Sequence, residues 1–167
     1  MSTTTTKRTT TKAKVVEEST KLPPNPFMNE ILDLVSKQKT NSKKVEVLKE
    51  YANDALKSLL IWNFDESVIS ELPDGEVPFR PNENPLGTDH SSLRREWKHF
   101  YNFVKGGNNT LSKIRRETIF IQILEGLHPL ESEVLCLVKD KNLQSKYKIS
   151  FDVVKEAYPD IQWGGRS

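Results

Sequence analysis

At 167 residues, with 35% hydrophobic and 29% charged side chains, the chain suits one polar but foldable domain. A formal net charge of +2 excludes a protein-wide basic field as the basis for nucleic-acid or membrane binding, so only local clusters of cations can matter. Cys136 is the sole cysteine, which rules out an internal disulfide and fits a reducing compartment; neither a signal-type core nor a run of ~20 apolar residues is present, so the expectation is a soluble protein without a membrane partner.

Residues 1–26 read as a disordered Thr/Lys-rich arm, because threonine and lysine repeats bury too little to offset the entropy of ordering. Lys7, Arg8, Lys12 and Lys14 precede any acid, so the arm can touch phosphate or an acidic surface, or serve only to keep the chain in solution. Pro23, Pro24 and Pro26 stiffen the entry to a domain expected over 27–161.

From Phe27 the spacing of Met28, Ile31, Leu32 and Val35 predicts a helix ending near Lys39. Asn41 or Ser42 is expected to cap a second, with Val45, Leu48 and Tyr51 on one face; Asn53 or Asp54 caps a third, carrying Leu56, Leu59 and Leu60. These helices are not read as a helix-turn-helix, since the third opens with only Lys57 and Ser58 as base-reading candidates. Asp65 is expected to cap a short helix over 66–71. Prolines 73, 78, 81 and 85, with Gly75 and Gly87, then predict a long loop. That loop either offers a binding surface through Phe79 and Arg80 or straps the helices through Val77, Phe79 and Leu86.

The strongest pattern runs through 93–127. Leu93, Trp97, Phe100, Tyr101 and Val104, at helical spacing after Ser91 or Ser92, predict one core-facing aromatic stripe, with Arg94, Arg95 and Lys98 off it. Gly106 supplies a left-handed helix end. The following helix carries Leu111, Ile114, Ile119, Phe120, Ile121, Ile123, Leu124 and Leu127 in an arc wide enough to predict the most buried helix, with Lys113, Arg115 and Arg116 on its wet side. The two are expected to form an antiparallel hairpin with basic residues on both members.

His128-Pro129 opens another helix, where Glu131 and Glu133 suit the start and Lys139 and Lys141 the end. Ser150 is expected to cap a last short helix through Val153, Val154 and Ala157, stopped by Pro159. Trp163, in a flexible tail over 162–167, either anchors a partner or folds back onto the domain. The fold class is therefore all-α: a single helical bundle of about six to seven helices.

No catalytic constellation is legible. His90, His99, His128 and Cys136 lack the spacing of metal ligands, and no phosphate-binding Gly-rich motif occurs. Lys105-Gly-Gly-Asn-Asn reads as an interhelical turn, because a helix precedes it where nucleotide folds use a strand. Neither an enzyme nor a cofactor is expected. Arg94, Arg95, Lys98, Arg115 and Arg116 around Trp97 and Tyr101 remain as candidate contacts to nucleic acid or a protein, alongside Lys7, Arg8, Lys12, Phe79, Arg80 and Trp163.

Four blocks carry a resemblance: Leu72-Pro-Asp-Gly-Glu-Val-Pro-Phe-Arg-Pro; Phe103-Val-Lys-Gly-Gly-Asn; Lys113-Ile-Arg-Arg-Glu-Thr-Ile-Phe-Ile-Gln-Ile-Leu-Glu; and Val138-Lys-Asp-Lys with Val154-Lys-Glu-Ala-Tyr-Pro. Over 27–161 the chain resembles a family of small uncharacterised proteins of T4-like myoviruses, particularly those of marine cyanobacterial hosts. The resemblance implies a phage-encoded accessory protein and carries no mechanism. The expected setting is the host cytoplasm, with a phage or host protein as partner in an assembly that works on nucleic acid. The alternatives are a virion component whose arm orders on neighbouring subunits, and a single-strand binder.

Overall fold

Seven α-helices and two short 3-10 segments make up the regular structure of the described residues, 22–82 and 90–166, in a computed structural model of the chain. The helices are α1 (Met28–Lys37), α2 (Asn41–Glu50), α3 (Asp54–Phe64), α4 (Leu93–Glu96), α5 (Lys113–Gly126), α6 (Pro129–Lys139) and α7 (Phe151–Ala157). The 3-10 segments are Trp97–Phe103, continuing α4, and Leu143–Ser145. No strand occurs among the described residues, only isolated bridges, so the fold is all-α as expected.

Most helix starts follow the sequence signals. Asn53 Oδ1 accepts the Leu56 amide at 2.8 Å, Ser150 Oγ accepts that of Val153 at 3.3 Å, and Pro129 follows the capping His128, whose Nδ1 accepts from Leu130 at 3.1 Å. The α2 cap falls on Thr40, one residue before the expected Asn41 or Ser42, with Thr40 Oγ1 accepting from Lys43 at 3.2 Å.

Three local expectations are corrected. The helix over 66–71 does not form: Asp65 Oδ1 accepts both the Ser67 amide (2.9 Å) and the Ser67 hydroxyl (2.7 Å), which turns the chain away. The segment then runs beside residues 103–105, with Glu71 N donating to Phe103 O at 2.7 Å and Lys105 N to Ile69 O at 2.8 Å. The central helix is α only over four residues before tightening to 3-10. At three residues per turn Trp97, Phe100 and Phe103 eclipse, so Phe103 is fully buried and Tyr101, expected in the core stripe, is 52% exposed. Finally, α5 is not the most buried helix. It is covered on one side only, burying Phe120, Ile123 and Leu124 while Ile114 stands 78% exposed. By contrast α1 buries Met28, Asn29, Ile31, Leu32, Leu34 and Val35.

The core runs between α1, α2, α3, α6 and α7. α2 packs on α1 and α7, and α3 lies across α6 and the α4/3-10 segment. An aromatic chain closes one end: Trp62 meets Phe100 edge-on at 5.4 Å, and Phe103 meets Phe120 edge-on at 5.1 Å.

Polar side chains of α6 and of the turn that ends it tie these layers together. Glu131 is fully buried; its Oε2 accepts the Met28 amide at 2.9 Å and its Oε1 the Leu93 amide at 3.1 Å. One carboxylate in the first turn of α6 thus takes the opening N–H of both α1 and α4, where the positive ends of helices favour an anion. Burial pushes the Glu131 carboxyl above the usual range, and the two amides oppose this in part. Buried Lys139 donates from Nζ to Pro73 O (2.6 Å), Gly75 O (3.1 Å) and Asp140 Oδ1 (2.6 Å), pinning the start of the proline-rich loop. Lys141 Nζ closes the C-terminal end of α3 by donating to Trp62 O at 2.6 Å and Asp65 O at 2.7 Å.

Candidate functional site

An apolar concavity lies between α3 and the 3-10 helix Trp97–Phe103. On α3 the helical period sets Ser58, Ile61 and Trp62 on one face, and the 3-10 helix brings Trp97, Lys98, Phe100 and Tyr101 opposite. Val68, Val104, Lys105 and Arg166 complete a groove of about 400 Å³, and no carboxylate lines it. The floor is apolar: Trp62 is nearly buried and its Nε1 is already committed to Ser70 Oγ at 2.8 Å. Tyr101 stands half-exposed at the rim and Trp97 is half-buried.

The rim is cationic. Lys98 and Lys105 are exposed, and their ammonium groups have no ion-pair or hydrogen-bond partner among the described residues. Arg166 is held differently, its Nη1 donating to Asp65 Oδ2 at 2.7 Å and to the Gln162 carbonyl. Burial alone would raise the Asp65 carboxyl. Hydrogen bonds from the Ser67 hydroxyl and amide and from Gly164 N (3.0 Å), with the Arg166 charge, outweigh it and hold the group at about 2.

Gly107 returns close against the 3-10 helix: a Cβ there would stand 1.9 Å from Tyr101 O, so only glycine fits. Gly106, at φ +86, supplies the expected left-handed turn just before it. Lys105 is held beside the groove by its own amide, which donates to Ile69 O at 2.8 Å.

The candidate contacts from the sequence scatter. Lys98 borders the groove, while Arg95 and Arg115 are exposed. Arg94 and Arg116 are corrections to the shared wet basic face. Arg94 Nη2 donates to Pro26 O at 2.9 Å, and Arg116 spans the Gly-Gly turn, Nε donating to Asn102 O (2.8 Å) and Nη2 to Asn108 O (3.1 Å) and Leu111 O (3.2 Å). Arg94 thus serves a carbonyl of the segment leading into α1, and Arg116 carbonyls of the 3-10 helix and the turn after it. Phe79 is half-buried against the core and the Arg80 amide donates to Glu125 Oε2 at 2.7 Å while the Arg80 side chain is exposed; Leu86 lies outside the described residues. Trp163 folds back, edge-on to Phe151 at 4.8 Å. Lys7, Arg8 and Lys12 lie outside the described residues.

Sequence reasoning did not place Lys105 and Arg166 at a groove, and it did not single out Ile61, Trp62 or Val68 at all. For Lys105 the Gly-Gly pair after it signals a tight reversal but not the bond to Ile69; for Arg166 there was no signal, because its partner Asp65 is 101 residues away.

Other polar side chains cluster away from the groove. Ser91 Oγ donates to Glu96 Oε1 at 2.6 Å, and His99 Nε2 lies 4.0 Å from Glu96 Oε2, beside a second concavity. The carboxylate thus sits between hydroxyl and imidazole, whereas a nucleophilic relay needs the imidazole on the hydroxyl. His90 and His128 are 5.4 Å apart by ring centroid, and burial, then the neighbouring His90, lowers the His128 pKa. Burial pushes the half-buried Cys136 thiol up to about 11, leaving it protonated at neutral pH. No group of three metal-ligating side chains occurs among the described residues, and no helix there is long and apolar enough to cross a membrane.

The groove can therefore seat an apolar body while its rim attracts negative charge. No curated protein and no solved structure matches the chain. A family profile matches residues 31–145, more than half of the chain and all of the groove except Arg166, and the chain belongs to that family, the family of unknown function DUF6433.

Proposed function

We propose that this protein is a non-enzymatic accessory protein that binds a phage or host protein within an assembly working on nucleic acid. The observation that carries the reading is the groove between α3 and the 3-10 helix: an aromatic floor, two unpaired lysines at the rim, and no lining carboxylate. Its resemblance to proteins of T4-like myoviruses supplies the setting, the cytoplasm of an infected cell. Affinity capture from phage-infected cells tests it, with wild-type chain and a Lys98→Glu/Tyr101→Ala/Lys105→Glu chain as parallel baits. A partner retained by the first and lost by the second is expected; an identical set of captured proteins rejects the groove as the binding surface.

The half-exposed Tyr101 ring between two free lysines also favours a second reading, a single-strand binder in which bases stack at the rim and phosphates meet the cations. Fluorescence anisotropy with an oligonucleotide at two salt concentrations decides it, since phosphate contacts strengthen as salt falls. Binding absent at the lower salt removes this reading. A virion role would rest on Lys7, Arg8 and Lys12, and mass spectrometry of purified particles is its test.

A further inference from the structure

Resting on the groove reading, we infer that the partner presents an acidic segment with one bulky apolar side chain, the apolar group entering the groove and flanking carboxylates meeting Lys98 and Lys105. Two properties of the groove select this class over a nucleobase. The first is the character of its interior. Ile61, Trp62, Val68 and Phe100 form the deep walls, and the Trp62 indole N–H is already given to Ser70. A base inserted there would bury its polar edges with nothing to answer them, whereas a leucine or phenylalanine side chain loses no hydrogen bond on entry. About 400 Å³ accommodates one such side chain with its neighbours.

The second property is the charge at the mouth. Lys98 lies in the 3-10 helix and Lys105 just past its end, and no described carboxylate pairs with either. Arg166 adds a third cation, already shared with Asp65, so the two lysines hold the unsatisfied charge. Uncompensated cations around an apolar slot give attraction at the rim and burial at the centre, the usual division of labour in an interface. Ile69, 44% exposed and bonded through its carbonyl to the Lys105 amide, extends the apolar surface past the lysine rim.

The test is an NMR titration of the full-length protein, following the Trp97 indole N–H and the amides of Ser58, Lys98, Tyr101 and Lys105. The probes are the peptide Asp-Glu-Leu-Phe-Glu-Asp, its form with both apolar residues changed to serine, its form with the acids changed to lysine, and oligo(dT) of about 15 nucleotides. The parent peptide is expected to shift these resonances saturably, and both altered peptides to bind about tenfold or more weakly. Lys98→Glu/Lys105→Glu is expected to weaken the parent peptide by a similar factor while leaving the remaining spectrum in place. Groove shifts with oligo(dT) and none with the peptide would overturn the acidic-segment assignment and leave the groove as a binding surface. No groove shifts with any probe would overturn both.

Discussion

Two buried carboxyl groups tie distant segments of this molecule together, and their surroundings shift their pKa values in opposite directions. Glu131 sits fully buried where α1 and α4 begin and α6 makes its first turn, receiving two backbone amides. Asp65 sits at the end of α3 at 2% exposure and receives the Ser67 amide, the Ser67 hydroxyl, the Gly164 amide and the Arg166 guanidinium. Burial raises both carboxyls, but only Asp65 has enough donors, including a full cation, to reverse the effect. Burial alone therefore says little about a carboxylate; the number and charge of its donors decide whether it is ionised comfortably.

Breaking the Glu131 junction has the largest expected effect. Glu131→Ala leaves two helix-opening amides unanswered and a void among three helices, a loss of about 3 to 5 kcal/mol by chemical denaturation. Glu131→Gln keeps one acceptor oxygen and is expected to cost about 2 kcal/mol at neutral pH. Because the folded pKa of Glu131 lies above its unfolded value, its ionisation opposes folding: its contribution is best below the unfolded pKa and declines as pH rises through the folded one. The Gln variant is expected to lack that decline.

Asp65→Asn sharpens the contrast. A carboxyl held at about 2 rather than near its ordinary value contributes stability above pH ~4 that is lost as pH falls towards about 2. The variant is expected to lose about 2 kcal/mol at neutral pH and to show a flatter acid limb, read from unfolding midpoints at several pH values. Arg166→Ala removes one of the donors and is expected to cost about 1 kcal/mol, with the acid limb shifted upward. Smallest of all, Lys98→Glu and Lys105→Glu are expected to leave stability within about 0.5 kcal/mol, since neither lysine has a partner to lose.

How much of this was legible in the sequence depended on how far each signal had to reach. The starts of α3, α6 and α7 were readable because Asn53, His128-Pro129 and Ser150 act within three residues of themselves. The aromatic stripe was misread because Trp97, Phe100, Tyr101 and Val104 fit a 3.6-residue period, and the tighter 3-10 turn that exposes Tyr101 leaves no composition signal. Glu131 was read as an ordinary helix-start acid. Its partners Met28 and Leu93 lie 103 and 38 residues away, beyond any local pattern. The groove was half-visible: Lys98, Trp97 and Tyr101 were noted together, but Lys105 joins them through its bond to Ile69 and Arg166 through the docked chain end, both long-range contacts.

The ties made by α6 also bear on how the chain assembles during synthesis. Glu131 answers Met28 and Leu93, Lys139 answers Pro73, and Lys141, just past the helix, answers Trp62, so the polar closures of α1, α3, α4 and the proline-rich loop all await α6 and the turn that ends it. A nascent chain halted before Pro129 holds most of its helices yet lacks the groups that lock them together. Such long-range closure is slow to form relative to local helix contacts. A chain truncated before Pro129 is therefore expected to unfold with a broader, less cooperative transition than the full chain, read by chemical denaturation.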